Sequence, residues 1–305
     1  MRLFGGLVVV VLFAMVPSVG FAQEVKREPV ARYLYQPSMN VFRRFAVERP
    51  RMLEFYGEVL GLKKAPTLQL GRGNEMSQFQ VGTSLIKMTT VTQNGKYTSG
   101  PIREVTGLRV FTFFFPDEAA LSARFVAHGL PAPVFTSAAD GTRVAMVQDP
   151  DGQYVEMVVM PPGTPAAAFD RIEVGITVSN LEKSRAFYRE FVGLEELKPV
   201  EDPILKVTKY PYRHGTTTIN LWAGAPPVPA HTALPANTAS AGIQYVTSNV
   251  DAVDVQAKVQ HVQIDTPLGN TFATLRTIWL GDPDGVTNYF AETTQSRAAR
   301  EGQTR

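Results

Sequence analysis

Residues alternate with a period of two from Ile172 to Val178, and the apolar spacing then changes to that of a helix. The polar pair Ser179-Asn180 marks the change, with Asn180 as N-cap, and an amphipathic stretch carries Phe187-Tyr188 to a stop at Val192-Gly193-Leu194. The same phrase occurs earlier. Val41 to Ala46 gives the strand, Glu48 opens the helix, and Phe55-Tyr56 leads to Val59-Leu60-Gly61-Leu62. About ninety residues after each copy comes Asp-Pro-Asp-Gly, at Asp149–Gly152 and again at Asp282–Gly285. Tyr56 and Tyr188 lie 132 positions apart and Asp149 and Asp282 lie 133 apart, a spacing that identifies a tandem duplication.

The pattern predicts four βαβββ units. The first has a strand over 41–47, a helix over 50–60 and strands near 62–69, 76–82 and 84–91. The second opens on the apolar strand Leu108–Phe115, continues through a helix over 117–128, and closes with strands near 132–136, 142–148 and 153–160. Pro161-Pro162-Gly163 begins a linker with poor strand and helix potential. The third unit has strands near 171–178, 194–200, 204–212 and 216–223 and a helix over 180–192. The fourth has strands at 242–248, 262–266, 271–280 and 286–292 and a helix over 250–259. Residues 225–240, rich in Pro, Ala and Thr, form a surface loop between units three and four. Residues 294–305 are expected as a disordered tail and 23–39 as an irregular lead-in.

Composition adds export. Arg2 precedes an apolar run from Leu3 to Met15, and the small residues Gly20 and Ala22 sit before Gln23, so residues 1–22 are expected as a cleaved signal peptide with a periplasmic or secreted destination. The run is short for a bilayer span, so no stable membrane span is expected after cleavage. The 305 residues contain no cysteine, so stability after export must come from the core and not from disulfides. Thirty Lys and Arg against 28 Asp and Glu leave a net charge of +2, which gives no electrostatic reason to expect a nucleic-acid partner.

The duplicated strand–helix phrase with Phe-Tyr, its Gly-Leu stop and the DPDG turn resembles the vicinal oxygen chelate superfamily. That superfamily contains glyoxalase I, bleomycin-resistance proteins and extradiol dioxygenases. The resemblance spans residues 40–293 and implies an α+β fold, four βαβββ units forming two tandem half-barrel (glyoxalase-like) domains, at 40–161 and 170–293 with a linker at 162–169. It also implies a small-molecule ligand or substrate, and in many members a divalent metal. The fold itself hosts isomerases, dioxygenases, lyases and plain binders.

Strand period assigns faces. Val174, Ile176 and Val178 form the helix-covered face of their strand, so Glu173, Gly175 and Thr177 face the hollow. The resemblance places a metal ligand where Glu173 stands and another seven residues after the first Asp of DPDG, at Glu156 in one half and Tyr289 in the other. Its remaining ligand positions fall on Val41, with a one-residue slip open because of Arg43-Arg44, and on Val110 and Gly242. Glu156 and Glu173 are thus the candidate metal ligands; the alternative for each is a salt bridge to Arg43, Arg44 or Arg109. Phe113, Thr177 and Tyr289 are the candidate substrate-binding residues. His128, His214, His231 and His261 lie at helix ends, turns and loops, where histidines are ordinarily solvated. DPDG is foremost a turn, and the Phe-Tyr pairs are core.

Two functions remain open. One is an exported protein that binds a small organic molecule without a complete metal site. The other is a metal-dependent lyase, isomerase or dioxygenase with a carboxylate-rich site, so the cofactor is either none or a divalent metal ion. The arrangement of units decides between them. Pairing within each half, the expected arrangement, separates Glu156 from Glu173. A swapped arrangement, with units two and three sharing a cavity, brings the two together with Asn220 and leaves Tyr289 among apolar residues.

Overall fold

In the computed structural model, which describes residues 26–71, 74–90, 101–224, 241–272 and 274–303, each repeated phrase is a strand and helix followed by a return to the same sheet. The first unit is β1 (Asn40–Phe45), α1 (Arg49–Glu54), β2 (Lys63–Gly71), β3 (Asn74–Val81) and β4 (Ser84–Thr90). The second is β5 (Gly107–Phe115), α2 (Glu118–Ala127), β6 (Thr136–Ser137), β7 (Arg143–Gln148) and β8 (Tyr154–Val159). The third holds β9 (Ile172–Val178), α3 (Leu181–Ala186), the short β10 (Glu195–Glu196) and β11 (Val200–Glu201), then β12 (Thr208–His214) and β13 (Thr217–Ala223). The fourth holds β14 (Ala241–Val246), α4 (Val250–Val259), β15 (Gln263–Phe272), β16 (Leu275–Gly281) and β17 (Thr287–Thr293), and α5 (Thr294–Gln303) follows it. The expected signal peptide at 1–22 and the expected loop at 225–240 lie outside the described residues, as does His231.

Local chemistry sets the helices. Asp117, Asn180 and Asn249 each cap a helix by accepting from the amide three residues on, in Ala120, Lys183 and Ala252. Helices α1 and α3 both widen into a π-helical turn, over Phe55–Val59 and Phe187–Val192, where the Phe-Tyr pairs sit. Gly193 follows with φ 85°, the left-handed conformation that its lack of a Cβ permits.

The units pair in the swapped manner, contrary to the expected pairing within halves. One sheet has eight strands in the order β15-β16-β17-β14-β1-β4-β3-β2, so it joins units one and four. The other runs β10-β12-β13-β9-β5-β8-β7-β6, with β11 beside β12, and joins units two and three. The seams are antiparallel, β1 against β14 and β5 against β9. The other face of each sheet packs on the helices in a single apolar core drawn from all four units, with Val41, Phe111, Val174 and Ile243 among its residues. Burying that continuous apolar surface is the main stabilising term.

The two units of each half, placed in different sheets, are nonetheless tied to one another. Tyr56 after α1 donates to Asp149 Oδ2 at 3.0 Å, and Tyr188 after α3 donates to Asp282 Oδ2 at 2.9 Å. The second aspartate of each DPDG accepts the amide that follows the first strand of the half, Ala46 N on Asp151 and Ser179 N on Asp284. DPDG is therefore a turn, as expected, and also the clamp between consecutive units.

Several element predictions change, and the strand expected near 132–136 shrinks to Thr136–Ser137. The strand expected at 194–200 is broken, because Pro199 carries no amide hydrogen for a ladder and Asp202 turns the chain by accepting from Ile204 N and Leu205 N. The expected disordered tail is instead α5, opened by a reciprocal pair in which Thr293 N donates to Ser296 Oγ and Ser296 N to Thr293 Oγ1. Arg297 and Arg300 of α5 pair with the buried Glu292. The lead-in contains a short 3₁₀ turn, Val30–Tyr33, tied to the fourth unit where Leu34 bridges Thr247. No helix among the described residues is long and apolar enough to cross a membrane.

Candidate functional site

Each sheet curls around a hollow, and the seam strands place the same positions over both. In the sheet of units two and three, Thr112 of β5 lies beside Glu173 of β9 on one side and Glu156 of β8 on the other. In the sheet of units one and four, Gln244 of β14 lies between Asn40 of β1 and Tyr289 of β17. Asn40 therefore matches Glu173, so the one-residue slip occurs and Val41 belongs to the core. Thr112 and Gln244 hold the positions expected at Val110 and Gly242, two residues further along their strands. The cause of the slip is Arg43, which is fully buried on the core side with Asp149 at 3.4 Å and Asp151 at 2.7 Å.

The hollow of units two and three is lined by carboxylates interspersed with lysines and arginines and has a volume of about 890 Å³. Glu156 accepts from Thr112 Oγ1 at 2.8 Å and from Lys209 Nζ at 3.0 Å. Lys209, from β12, also pairs with Asp202 at 2.6 Å. Asn220 of β13 donates to Glu173 at 2.7 Å. Burial pushes the Glu156 carboxyl up to about 7, against the lowering effect of Lys209. Burial alone would depress Lys209, but Glu156, Asp202 and Glu173 outweigh it and hold the ammonium above its ordinary value. The salt-bridge alternative for Glu156 thus holds with a different partner. Arg43 pairs with the DPDG aspartates and Arg109 donates to the backbone carbonyls of Val105 and Thr106, while Lys209 takes Glu156. A period-two reading of β12 would have placed Lys209, Pro211 and Arg213 on the hollow face, had the strand start been recognised at Thr208.

Part of this hollow is filled. Trp222, Ile102, Val110 and Val207 form an apolar plug. Gly175 makes it possible, since a Cβ there would lie 2.1 Å from the indole. Thr177 lies beneath the plug with no exposed surface and donates to the Ile102 carbonyl. Phe113 faces the other way: it is buried in the core, edge-on to Tyr56 at 6.3 Å, while Thr112 and Phe114 line the hollow. Of the three substrate-binding candidates, only Tyr289 lines an open cavity.

That cavity, of about 850 Å³, belongs to units one and four and is mostly apolar. Trp279 and Tyr289 pack with ring centroids 5.0 Å apart, and Phe42 meets both at 6.3 and 6.5 Å. Arg44 lies over Trp279 at 5.4 Å. Lys87 of β4, at the position matching Asn220, donates to Gln244 Oε1 at 2.7 Å. Burial lowers Lys87 to about 8 and raises Tyr289 to about 12, the latter partly offset by a hydrogen bond from Gln244. Thr294 and Gln295 of α5 close one side. This hollow is thus furnished with Lys87, Gln244 and Arg44 as well as Tyr289 and apolar residues.

A divalent metal of the kind the fold implies needs three or four His, carboxylate or thiolate ligands. Among the described residues no group of three His, Cys, Asp or Glu side chains is placed to hold one. In the hollow of units two and three the space between Glu156 and Asp202 belongs to the Lys209 ammonium, and in the other hollow the equivalent donors are neutral amides, a phenol and Lys87. Neither donor set fits the ion. The described histidines do not change this: His128 bonds Glu54 and His214 bonds the Gln36 carbonyl, and His261 lines neither hollow.

A family model for the Glyoxalase/Bleomycin resistance protein/Dioxygenase superfamily matches residues 40–157 and again 169–290. Lactoylglutathione lyase GLX1 of Arabidopsis thaliana is 29% identical over 173 residues, 52% of this chain, which spans only 55% of that relative's length. The fold resembles glyoxalase I from Zea mays, with a TM-score of 0.63 at 18% identity over 87% of this chain and 95% of the other. It also resembles a putative dioxygenase from Bacillus subtilis, with a TM-score of 0.55 at 17% identity over 85% and 87% of the two chains.

Proposed function

Because the chain belongs to the Glyoxalase/Bleomycin resistance protein/Dioxygenase superfamily, we propose that it binds a small, largely apolar organic molecule in the hollow of units one and four, without metal chemistry in either hollow. The observation that carries this reading is the lysine found at each ligand cluster. Lys209 lies against Glu156 and Asp202, and Lys87 lies against Gln244. An ammonium in hydrogen-bond contact with the donors repels a second cation and uses the lone pairs it would need. The open hollow also has the character of a ligand site, with an aromatic wall and few polar groups converging at its floor.

The swapped pairing does bring Glu156 and Glu173 to the two sides of Thr112, which favours the alternative of a carboxylate-bound metal and a lyase or dioxygenase activity. Elemental analysis distinguishes the two readings. Protein purified without added metal is expected to carry far less than one ion per chain. One tightly held ion per chain, lost in Glu156→Gln and Glu173→Gln, would overturn the metal-free reading.

Export belongs to the same proposal and is supported by the apolar run after Arg2 and the small residues before Gln23. Intact-mass measurement on protein from an exporting host is expected to show a chain beginning at Gln23. A chain retaining residues 1–22 would count against this route.

A further inference from the structure

The charge of the ligand follows from which polar atoms the hollow of units one and four leaves unused. Gln244 Oε1 accepts from Lys87 Nζ at 2.7 Å and from Asn40 Nδ2 at 3.2 Å, so both its lone pairs are engaged. Its bond to Tyr289 therefore comes from the amide nitrogen. That leaves the phenol hydrogen of Tyr289 and the other ammonium hydrogens of Lys87 as donors at the floor. Arg44 adds a second cation on the wall. None of the described residues lining this hollow is Asp or Glu, whereas the hollow of units two and three has several. The half-buried ammonium of Lys87 has a neutral amide as its acceptor and, among the described residues lining the hollow, no anion beside it.

Resting on the reading that this hollow is the binding site, we propose that its ligand is an organic monoanion. A carboxylate, or an oxyanion of similar shape, accepts from Lys87 and Tyr289, and an apolar body of aromatic size lies against Trp279 and Phe42. Two N–H or O–H donors on one carboxylate give charge-assisted bonds, which are stronger than neutral ones. Binding is also linked to protons. Free Lys87 titrates near 8, lowered by burial. The groups lining the hollow around it are Arg44 of β1, Met76 of β3, Thr89 of its own strand, Gln244 of β14 and Tyr289 of β17, none of them negative at neutral pH. A bound anion raises Lys87, so the affinity is full below about 8 and falls as the pH rises through that value.

Isothermal titration calorimetry with 1-naphthoate and its neutral analogue 1-naphthalenemethanol tests this on the full chain. At pH 7 naphthoate is expected to bind about tenfold more tightly or better, as a charge-assisted pair implies. The advantage should shrink by pH ~9.5, above the Lys87 titration, vanish in Lys87→Met and persist in Lys87→Arg. Should Lys87→Met fail to fold, the pH series on the wild-type protein decides alone. Equal affinity for the two probes, or preference for the alcohol, overturns the anion while leaving the small-molecule reading in place. Absence of binding by either probe at millimolar concentration overturns both.

Discussion

Lys209→Met is expected to be among the most destabilising single substitutions in this chain, by about 3–5 kcal/mol, the range for removing one partner of a buried ion pair. The side chains of Glu156 and Asp202 are 2% and 0% exposed, and Lys209 is the cation that both contact. Asp202 keeps the amides of Ile204 and Leu205, while Glu156 keeps the Thr112 hydroxyl and is left facing Asp202. The pH dependence identifies the cause. The Glu156 pKa is raised by folding from 4.5 to about 7, so the folded state holds the proton more strongly. Its contribution is most favourable below 4.5, declines as the pH rises through 7, and is flat beyond that. Without the ammonium the folded pKa rises further, so Lys209→Met should lose more stability between pH 5 and pH 8 than the wild type does. Adding Glu156→Gln should remove that excess slope and recover part of the loss. Urea denaturation at the two pH values measures all of this, and a Lys209→Met chain as stable as wild type at pH 8 would refute the pairing.

The second large effect separates the two DPDG turns. Asp149→Asn should cost about 3 kcal/mol, the lower end of the range for a broken buried pair because Asp151 still holds Arg43. The equivalent Asp282→Asn should cost about 1 kcal/mol, the scale of one hydrogen bond. Both aspartates are buried and accept a tyrosine hydroxyl, but Asp149 faces the fully buried Arg43 whereas Asp282 has no arginine partner among the described residues. Burial raises Asp282 to about 7, so a neutral amide is close to the state it already favours. Matched urea melts at pH 7 give the comparison. Equal losses would mean that Arg43 is held by Asp151 alone.

The difference at Arg43 also explains why part of the site could not be read from the chain. The repeat, the four units, the helix caps and the DPDG turns were legible, because each is a local pattern with a fixed spacing. In β1, a reading that sends apolar residues inward and charged residues outward fails. Phe42 faces the hollow and Arg43 the core, since two aspartates more than a hundred positions away neutralise the arginine. The whole strand therefore slips by one, and Asn40 was missed. Phe113 was misplaced for a related reason: β5 is apolar on both faces apart from Arg109 and Thr112, which lie three positions apart and so point to opposite phases. Lys209 was missed because the Asp202 turn shortens the strand before it.

The swap itself left a faint trace. Strands β1, β5, β9 and β14 each have the apolar character of a seam strand, so pattern alone permits either partner. Connection length was the better guide. Only the stretch from Met160 to Arg171 separates β8 from β9, and a short connection keeps consecutive elements in one sheet. The links from Thr90 to Gly107 and from Ala223 to Ala241, which join the two sheets, are longer.

The tyrosine–aspartate clamps and the swapped sheets together mean that the inherited segment is not the folding segment. Each duplicated half contributes one unit to each sheet, and its own two units lie in different sheets, joined by the clamps, the shared core and contacts such as Arg124 on the Val59 carbonyl. A chain cut near Pro165 would leave β1 without β14 and β5 without β9, two bare seam edges of the kind that recruit strands from neighbouring molecules. The severed half could satisfy both edges by pairing with a second copy of itself, β1 and β5 taking each other's lost partners across a twofold axis.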